Sequence, residues 1–204
     1  MKSAPIKTRQ CLAAALFALT AAGASATTLT SNVSMDNDFV AYLATSDNLQ
    51  GTAFLSGDPW MTTFTGTATL AAGTSYFLHV YGHDQGGIAA FLGQFSLSGT
   101  DHQFSNGQTA LLTNSSDWKA NATGFGDPYS AVTIVGQNGD SPWGTRPNIG
   151  AATWIWSGDA NSNDTAYFST KISAVPEPES YALMLAGLGA LVFVARRQRT
   201  GQPG

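Results

Sequence analysis

The chain has 204 residues, on the scale of one domain with extras. Only 11% of them are charged, while 43% are hydrophobic and 22 are glycine. This composition excludes a basic nucleic-acid-binding surface and a long-helix or coiled-coil protein, which needs abundant Glu, Lys and Arg to solubilise its outer faces.

The charges are unevenly placed. Lys2, Lys7 and Arg9 lie in the first ten residues and Arg196, Arg197 and Arg199 in the last ten. Between Thr27 and Ala174, Lys119, Arg146 and Lys171 face eleven aspartates and no glutamate, a formal charge of −8. Such a surface repels phosphate backbones and anionic lipid, so no nucleic-acid partner is expected.

In chain order, residues 1–26 read as a secretory signal peptide. A basic start precedes the apolar stretch Cys11 to Ala22, and Ala24 and Ala26 fit an A-x-A cleavage site. The apolar stretch is short of the roughly 20 residues a membrane span needs. Cys11 is the only cysteine, so the exported product has neither disulfides nor thiol chemistry.

Residues 27–174 have a period of two. Phe64, Gly66, Ala68 and Leu70 alternate with threonines, and Phe91, Gly93, Phe95 and Leu97 alternate with Leu92, Gln94, Ser96 and Ser98. Further strands are predicted at 29–35, 39–44, 75–81, 110–112, 130–135, 152–156 and 165–172. Between them lie Ala72-Gly73, Gly86-Gly87, Asn106-Gly107, Asn138-Gly139-Asp140 and Gly158-Asp159 as turns. Many short strands with glycine turns predict an all-β fold, a single β-sandwich or jelly roll.

Little in this stretch carries catalytic chemistry. No G-x-S-x-G elbow is present. His79 and His83 read as strand, where four residues separate them by about 13 Å, too far to share an ion. Glycosidase chemistry needs two carboxylates flanking the scissile bond, and no spacing singles out a pair among the aspartates. The domain is therefore expected to be non-enzymatic, the alternatives being a secreted Asp-dependent glycoside hydrolase or a purely structural matrix subunit. No cofactor is expected beyond a calcium candidate, Asp159, Asn161 and Asn163. This run has oxygen side chains at alternate positions, but it lacks the glycine and the bidentate glutamate of a calcium loop; the competing reading is an Asx-rich turn.

Trp60, after Asp58-Pro59, and Trp143, after Pro142 and close to Arg146, lie in loop-like sequence. A rigid aromatic beside a charged group suits stacking on a sugar ring, so Trp60, Trp143 and Arg146 are candidate ligand-binding residues. The competing reading is an aromatic that plugs the end of the sandwich. Trp154 and Trp156 share one strand face by period and are expected in the core.

The C-terminal segment, 175–199, has three parts in order: Val175-Pro176-Glu177-Pro178-Glu179, an apolar run 181–195, and the Arg cluster. Pro176 and Pro178 bar a helix from running back into the domain. Fifteen residues rise about 22 Å as a helix, a marginal single transmembrane helix that snorkelling arginines can complete. The arginines stay cytoplasmic, leaving the domain outside.

This string, with Ala182-Leu183-Met184-Leu185-Ala186-Gly187-Leu188-Gly189 before Arg196-Arg197, resembles the PEP-CTERM sorting signal of Gram-negative bacteria. The resemblance covers about the last 30 residues. It implies an exosortase partner, with Pro176, Glu177 and Pro178 as the recognition motif and Arg196, Arg197 and Arg199 as the stop-transfer cluster. It further implies transient membrane anchoring and then deployment at the cell surface or in extracellular exopolysaccharide and biofilm matrix. A second resemblance, carried by residues 34–43, 76–81, Pro142-Trp143-Gly144 and 152–156, is to galactose-binding-like jelly rolls. It implies a polysaccharide as a further partner, although Ala44-Thr45-Ser46-Asp47 replaces the usual asparagine-glycine turn.

Overall fold

A computed structural model describes residues 26–176, 181 and 184–192. The first seven strands are β1 (Thr27–Asp36), β2 (Asp38–Ala44), β3 (Thr52–Gly57), β4 (Phe64–Leu70), β5 (Tyr76–His83), β6 (Ala90–Leu97) and β7 (His102–Phe104). The others are β8 (Ala110–Leu112), β9 (Lys119–Asn121), β10 (Ser130–Ala131), β11 (Thr133–Gln137), β12 (Thr153–Trp156) and β13 (Thr165–Ala174).

They form two antiparallel sheets. One has the order β11-β12-β6-β1-β4 with β8 beside β6; the other has the order β10-β9-β13-β5-β2-β3 with β7 beside β13. The chain changes sheet at most of its connections, so strands that are sequence neighbours largely face each other across the core. Alternation then decides burial. In β1, Leu29 and Val33 point inward, and in β5, Leu78 and Val80 do the same, all fully buried.

Aromatic rings seal the space between the sheets. Phe91 of β6 meets Phe168 of β13 at 4.8 Å between ring centroids, and Trp156 meets Phe168 at 5.6 Å. Trp118 lies edge-on to Phe91 at 5.3 Å and donates its indole N–H to the Leu112 carbonyl at 3.2 Å. Such offset and edge-on pairs add to the area they bury.

Trp154 and Trp156 do not share a cluster, against the expectation from period two. Strand β12 registers with β6 at one pair, Ile155 opposite Phe91. Beyond that point only β11 pairs with β12, through Thr133 opposite Trp156, and Trp156 turns inward and donates to the Asn163 carbonyl at 2.8 Å. Trp154 stays outside the first sheet, in a second cluster with Leu92, Trp143, Ile149 and Ala152.

The predicted signal peptide lies outside the described residues except Ala26, an exposed residue one position before β1. Of the apolar run 181–195, residues 184–192 form a helix, α1, whose large apolar side chains, Met184, Leu185, Leu188, Leu191 and Val192 among them, are exposed. No helix among the described residues is long and apolar enough to cross a membrane; residues 182, 183 and 193–195 of the expected span lie outside them.

Candidate functional site

The outward faces of β2, β5 and β13 carry the polar half of each alternating pattern. Because these strands are neighbours, Tyr81 of β5 lies opposite Tyr167 of β13 and opposite Val40 of β2, while Tyr42 lies opposite His79. Tyr81 and Tyr167 pack at 5.1 Å, and burial raises the Tyr81 pKa, which keeps its phenol neutral in ordinary conditions. Two loops wall this strip, 45–51 and 122–129. Phe125 from the second loop stacks flat on His79 at 4.5 Å and stands edge-on to Tyr167 at 5.0 Å and to Tyr42 at 5.8 Å. The result is a cleft of about 350 Å³ lined by Tyr42, Gln50, Tyr81, Phe125 and Tyr167.

Two glycines let the walls approach. Gly51 has φ +91°, and a Cβ there would run into the Leu43 backbone. Gly126 has φ +95° and lies so close to Asn48 that a Cβ would come 3.1 Å from its Cα. Both positions need the left-handed region that glycine reaches without strain.

Beneath the cleft, Asp47 ties four elements together. Its Oδ2 accepts from Lys119 Nζ at 2.6 Å, and its Oδ1 accepts from Ser169 Oγ at 2.6 Å and contacts His79 Nε2 at 3.2 Å. Burial works against the charge, but the hydrogen bonds from Lys119, Ser169 and His79 together with the Lys119 charge outweigh it and hold the carboxyl below the usual range. His79 is fully buried, and the second histidine on that face, His83, contacts Asp38 at 2.9 Å instead.

Trp60, Trp143 and Arg146 do come together, on the other sheet. The Arg146 guanidinium sits 5.6 Å from the centre of the Trp60 ring, and Trp60 packs against the cluster that holds Trp143. Trp143, however, is only 3% exposed; its ring packs on Trp154 at 4.7 Å and its indole N–H donates to Asp36 Oδ2 at 2.7 Å. It plugs the outer face of the sheet and has no free ring face for a sugar. Trp60 is half-buried and Arg146 partly exposed, so this pair keeps the only open part of that candidate group.

In the calcium candidate, Asp159 Oδ1 accepts from the backbone N–H of Asn161 at 3.0 Å and from its Nδ2 at 3.3 Å. Asn163 Nδ2 donates to the Ser157 carbonyl at 2.8 Å. The Asp159 contact to the Asn161 N–H is that of an Asx turn.

One acid is poorly served. Asp84 is 4% exposed, its Oδ2 accepts from the Gly86 N–H at 3.1 Å, and its Oδ1 has no partner. Burial, with nearby Asp164, pushes its carboxyl above the usual range. An acid whose folded-state pKa is raised favours the fold below its unfolded pKa of about 3.9, and this advantage is lost as pH rises through the folded value. Asp84→Asn keeps the acceptor for Gly86 and should raise stability at pH 7 by about 1 kcal/mol. The gain should vanish below about pH 4. Urea midpoints at both pH values measure it, and a less stable variant at pH 7 would contradict this account.

At its far end, β13 runs straight into the C-terminal segment. Ala174 N–H donates to Ser75 Oγ at 3.1 Å, Val175 N–H donates to the Asp101 carbonyl at 2.8 Å, and Pro176 is exposed. Residues 174–199 match the PEP-CTERM protein-sorting motif. The PEP-CTERM motif indicates an exported protein of a Gram-negative bacterium, transiently anchored in the membrane and processed by an exosortase. Pro176 is its last residue described continuously with the domain; Glu177, Pro178, Arg196, Arg197 and Arg199 lie outside the described residues, as does Ala24 of the predicted cleavage site. No curated protein and no solved structure matches the chain.

Proposed function

We propose that the exported domain is a non-enzymatic, jelly-roll type carbohydrate-binding module that holds this exosortase substrate at the cell surface or in exopolysaccharide matrix. The apolar run 181–195 serves as its temporary membrane anchor. The observation that carries the binding reading is the cleft of Tyr42, Tyr81, Phe125 and Tyr167 with the Gln50 amide at its rim. Aromatic rings offer apolar faces to the C–H faces of pyranose rings, while phenol and amide groups orient the hydroxyls. The lining carries no carboxylate, so it supplies stacking and hydrogen bonding but no general acid. With a formal charge of −8 over residues 27–174, a neutral polymer fits better than a polyanionic one.

The test is retention of the full chain, in detergent, on immobilised neutral and acidic polysaccharides. Two stacked rings at about 1 kcal/mol each predict that the double variant Tyr81→Ala, Tyr167→Ala weakens retention by roughly thirtyfold. Unchanged retention of that variant would move the site elsewhere, and loss on Trp60→Ala would move it to the Trp60–Arg146 pair. No retention on any polysaccharide would favour a purely structural matrix subunit.

A further inference from the structure

We propose that the free edge of β4 is an interface between two copies of this chain, which join as an antiparallel strand pair with Thr67 on the two-fold axis. Strands β11, β4, β10 and β3 end the two sheet paths, and three of these edges are blunted. Strand β10 is two residues long, β11 carries a register shift between Ile134 and Gly136, and β3 meets β2 across another between Ala41 and Tyr42. Strand β4 instead pairs with β1 without interruption from Phe64 to Leu70. The ladder fixes which of its backbone groups face outward. The Thr28 carbonyl accepts from the Ser98 N–H at 3.0 Å, so the even-numbered residues of β1 face β6 and the odd-numbered ones face β4. Their partners on β4 are Phe64, Gly66, Ala68 and Leu70. The N–H and C=O groups of Thr65, Thr67 and Thr69 therefore point out of the sheet edge, and they have no backbone partner among the described residues.

The strand is its own complement. Centred on Thr67, the antiparallel pairing sets Thr65 opposite Thr69 of the second copy, Gly66 opposite Ala68 and Phe64 opposite Leu70. Threonine thus meets threonine at every outward-bonding position. Each threonine pair exchanges two N–H···O=C bonds, about six in all, and threonine pairs across a ladder are themselves favourable. Charge selects the same surface. Two domains of formal charge −8 repel through most of their faces, but residues 48–57 and 59–78, which include both β3 and β4, contain no Asp, Glu, Lys or Arg. The core is also unfinished on this side. Leu55 packs against Gly66 and Phe64 against Gly57, yet Phe54, Leu55 and Phe64 are only partly buried. A groove of about 440 Å³ lies between the two edges, lined by Leu49, Phe54, Ala68, Thr69 and Tyr76 among others. A second sandwich set edge to edge covers these groups. The axis is normal to the sheet, so the aromatic clefts of both copies open on the same side of the pair.

Sedimentation of the full chain in detergent, with Cys11→Ser to remove the only cysteine, should show a dimer that dissociates on dilution. Thr67→Lys sets two ammonium groups opposite one another and should raise the dissociation constant about fivefold. A dimer unchanged by Thr67→Lys would belong to another surface, the C-terminal helix included, and overturns the proposal. A monomer at concentrations up to about 1 mM overturns it too. Cysteine bridging in the same Cys11→Ser chain reads the register. The two Thr67 Cα atoms of the pair lie about 5.5 Å apart, within reach of a disulfide. The two Thr65 Cα atoms lie about 14 Å apart, beyond it. Under mild oxidation Thr67→Cys should form a bridged dimer and Thr65→Cys should not. Bridging of Thr65→Cys as readily as Thr67→Cys overturns the register, and no bridge in either overturns the pairing. None of these measurements involves a polysaccharide, so they decide the interface whatever the cleft binds.

Discussion

Phe168→Ala should cost about 3–5 kcal/mol, the range for deleting a fully buried aromatic from a core. Phe168 is fully buried and lies on β13 opposite Val80 on one side and Ala120 on the other. Its ring also reaches across the sandwich to Phe91 at 4.8 Å. Removing it opens a void bounded by Phe91 and Trp156, two large groups whose backbones belong to the opposite sheet and cannot follow the loss inward. Against a total stability of about 5–15 kcal/mol, the loss is a third or more of the total for a domain of ordinary stability. Urea unfolding should show a lower midpoint with an unchanged slope. Lys171→Ala, on an exposed position of the same strand, should stay within about 0.5 kcal/mol. A Phe168→Ala cost below about 1 kcal/mol would mean that the sheets do not pack through this ring.

Asp47→Ala should cost about 2 kcal/mol, because it orphans partners whose polar atoms lie against the sheet. Ser169 and His79 are both fully buried, and Lys119 loses its ion pair. Asparagine restores only part of this, since its single oxygen can face either Lys119 or the Ser169 side and it carries no charge for the ammonium. The effect carries a pH signature. A carboxylate held below its unfolded value of about 3.9 stabilises the fold fully above that value and loses this contribution as pH falls through the lower folded value. The gap between wild type and Asp47→Ala should therefore be constant from pH 5 to 7 and narrow below about pH 4. A gap that does not narrow in acid would assign the cost to packing instead of charge. Because Asp47 also fixes the loop bearing Gln50 and the histidine under Phe125, the variant should weaken polysaccharide retention as well.

Legibility in the sequence followed locality. The sorting motif is a contiguous string, so it could be read directly. Strands with clean alternation, such as β4 and β6, were also legible. Strand β3 was not, since Phe54 and Leu55 are adjacent apolar residues and its partner β2 carries a register shift between Ala41 and Tyr42. Strands β7 and β9 are three residues each and owe their extended form to pairing with β13. The aromatic cleft is assembled by register: Tyr81 and Tyr167 are each an ordinary outward residue, and only the adjacency of β5 and β13 joins them. Trp143 failed as a displayed ring for a similar reason, because the Asp36 carboxylate that captures its indole lies 107 residues away in sequence.

Strand β13 has a mechanical consequence. Tyr167, in the proposed polymer cleft, lies on β13, and Val175, where the chain leaves toward its C-terminal segment, directly follows the last residue of that strand. While the protein is still tethered, tension between a held polymer and the membrane runs along β13 without crossing the core. The load falls as shear on the antiparallel ladders to β5, β9 and β7, whose hydrogen bonds share it together. The sandwich can thus bear a pull between the proposed cleft and its C-terminal segment with its two sheets closed.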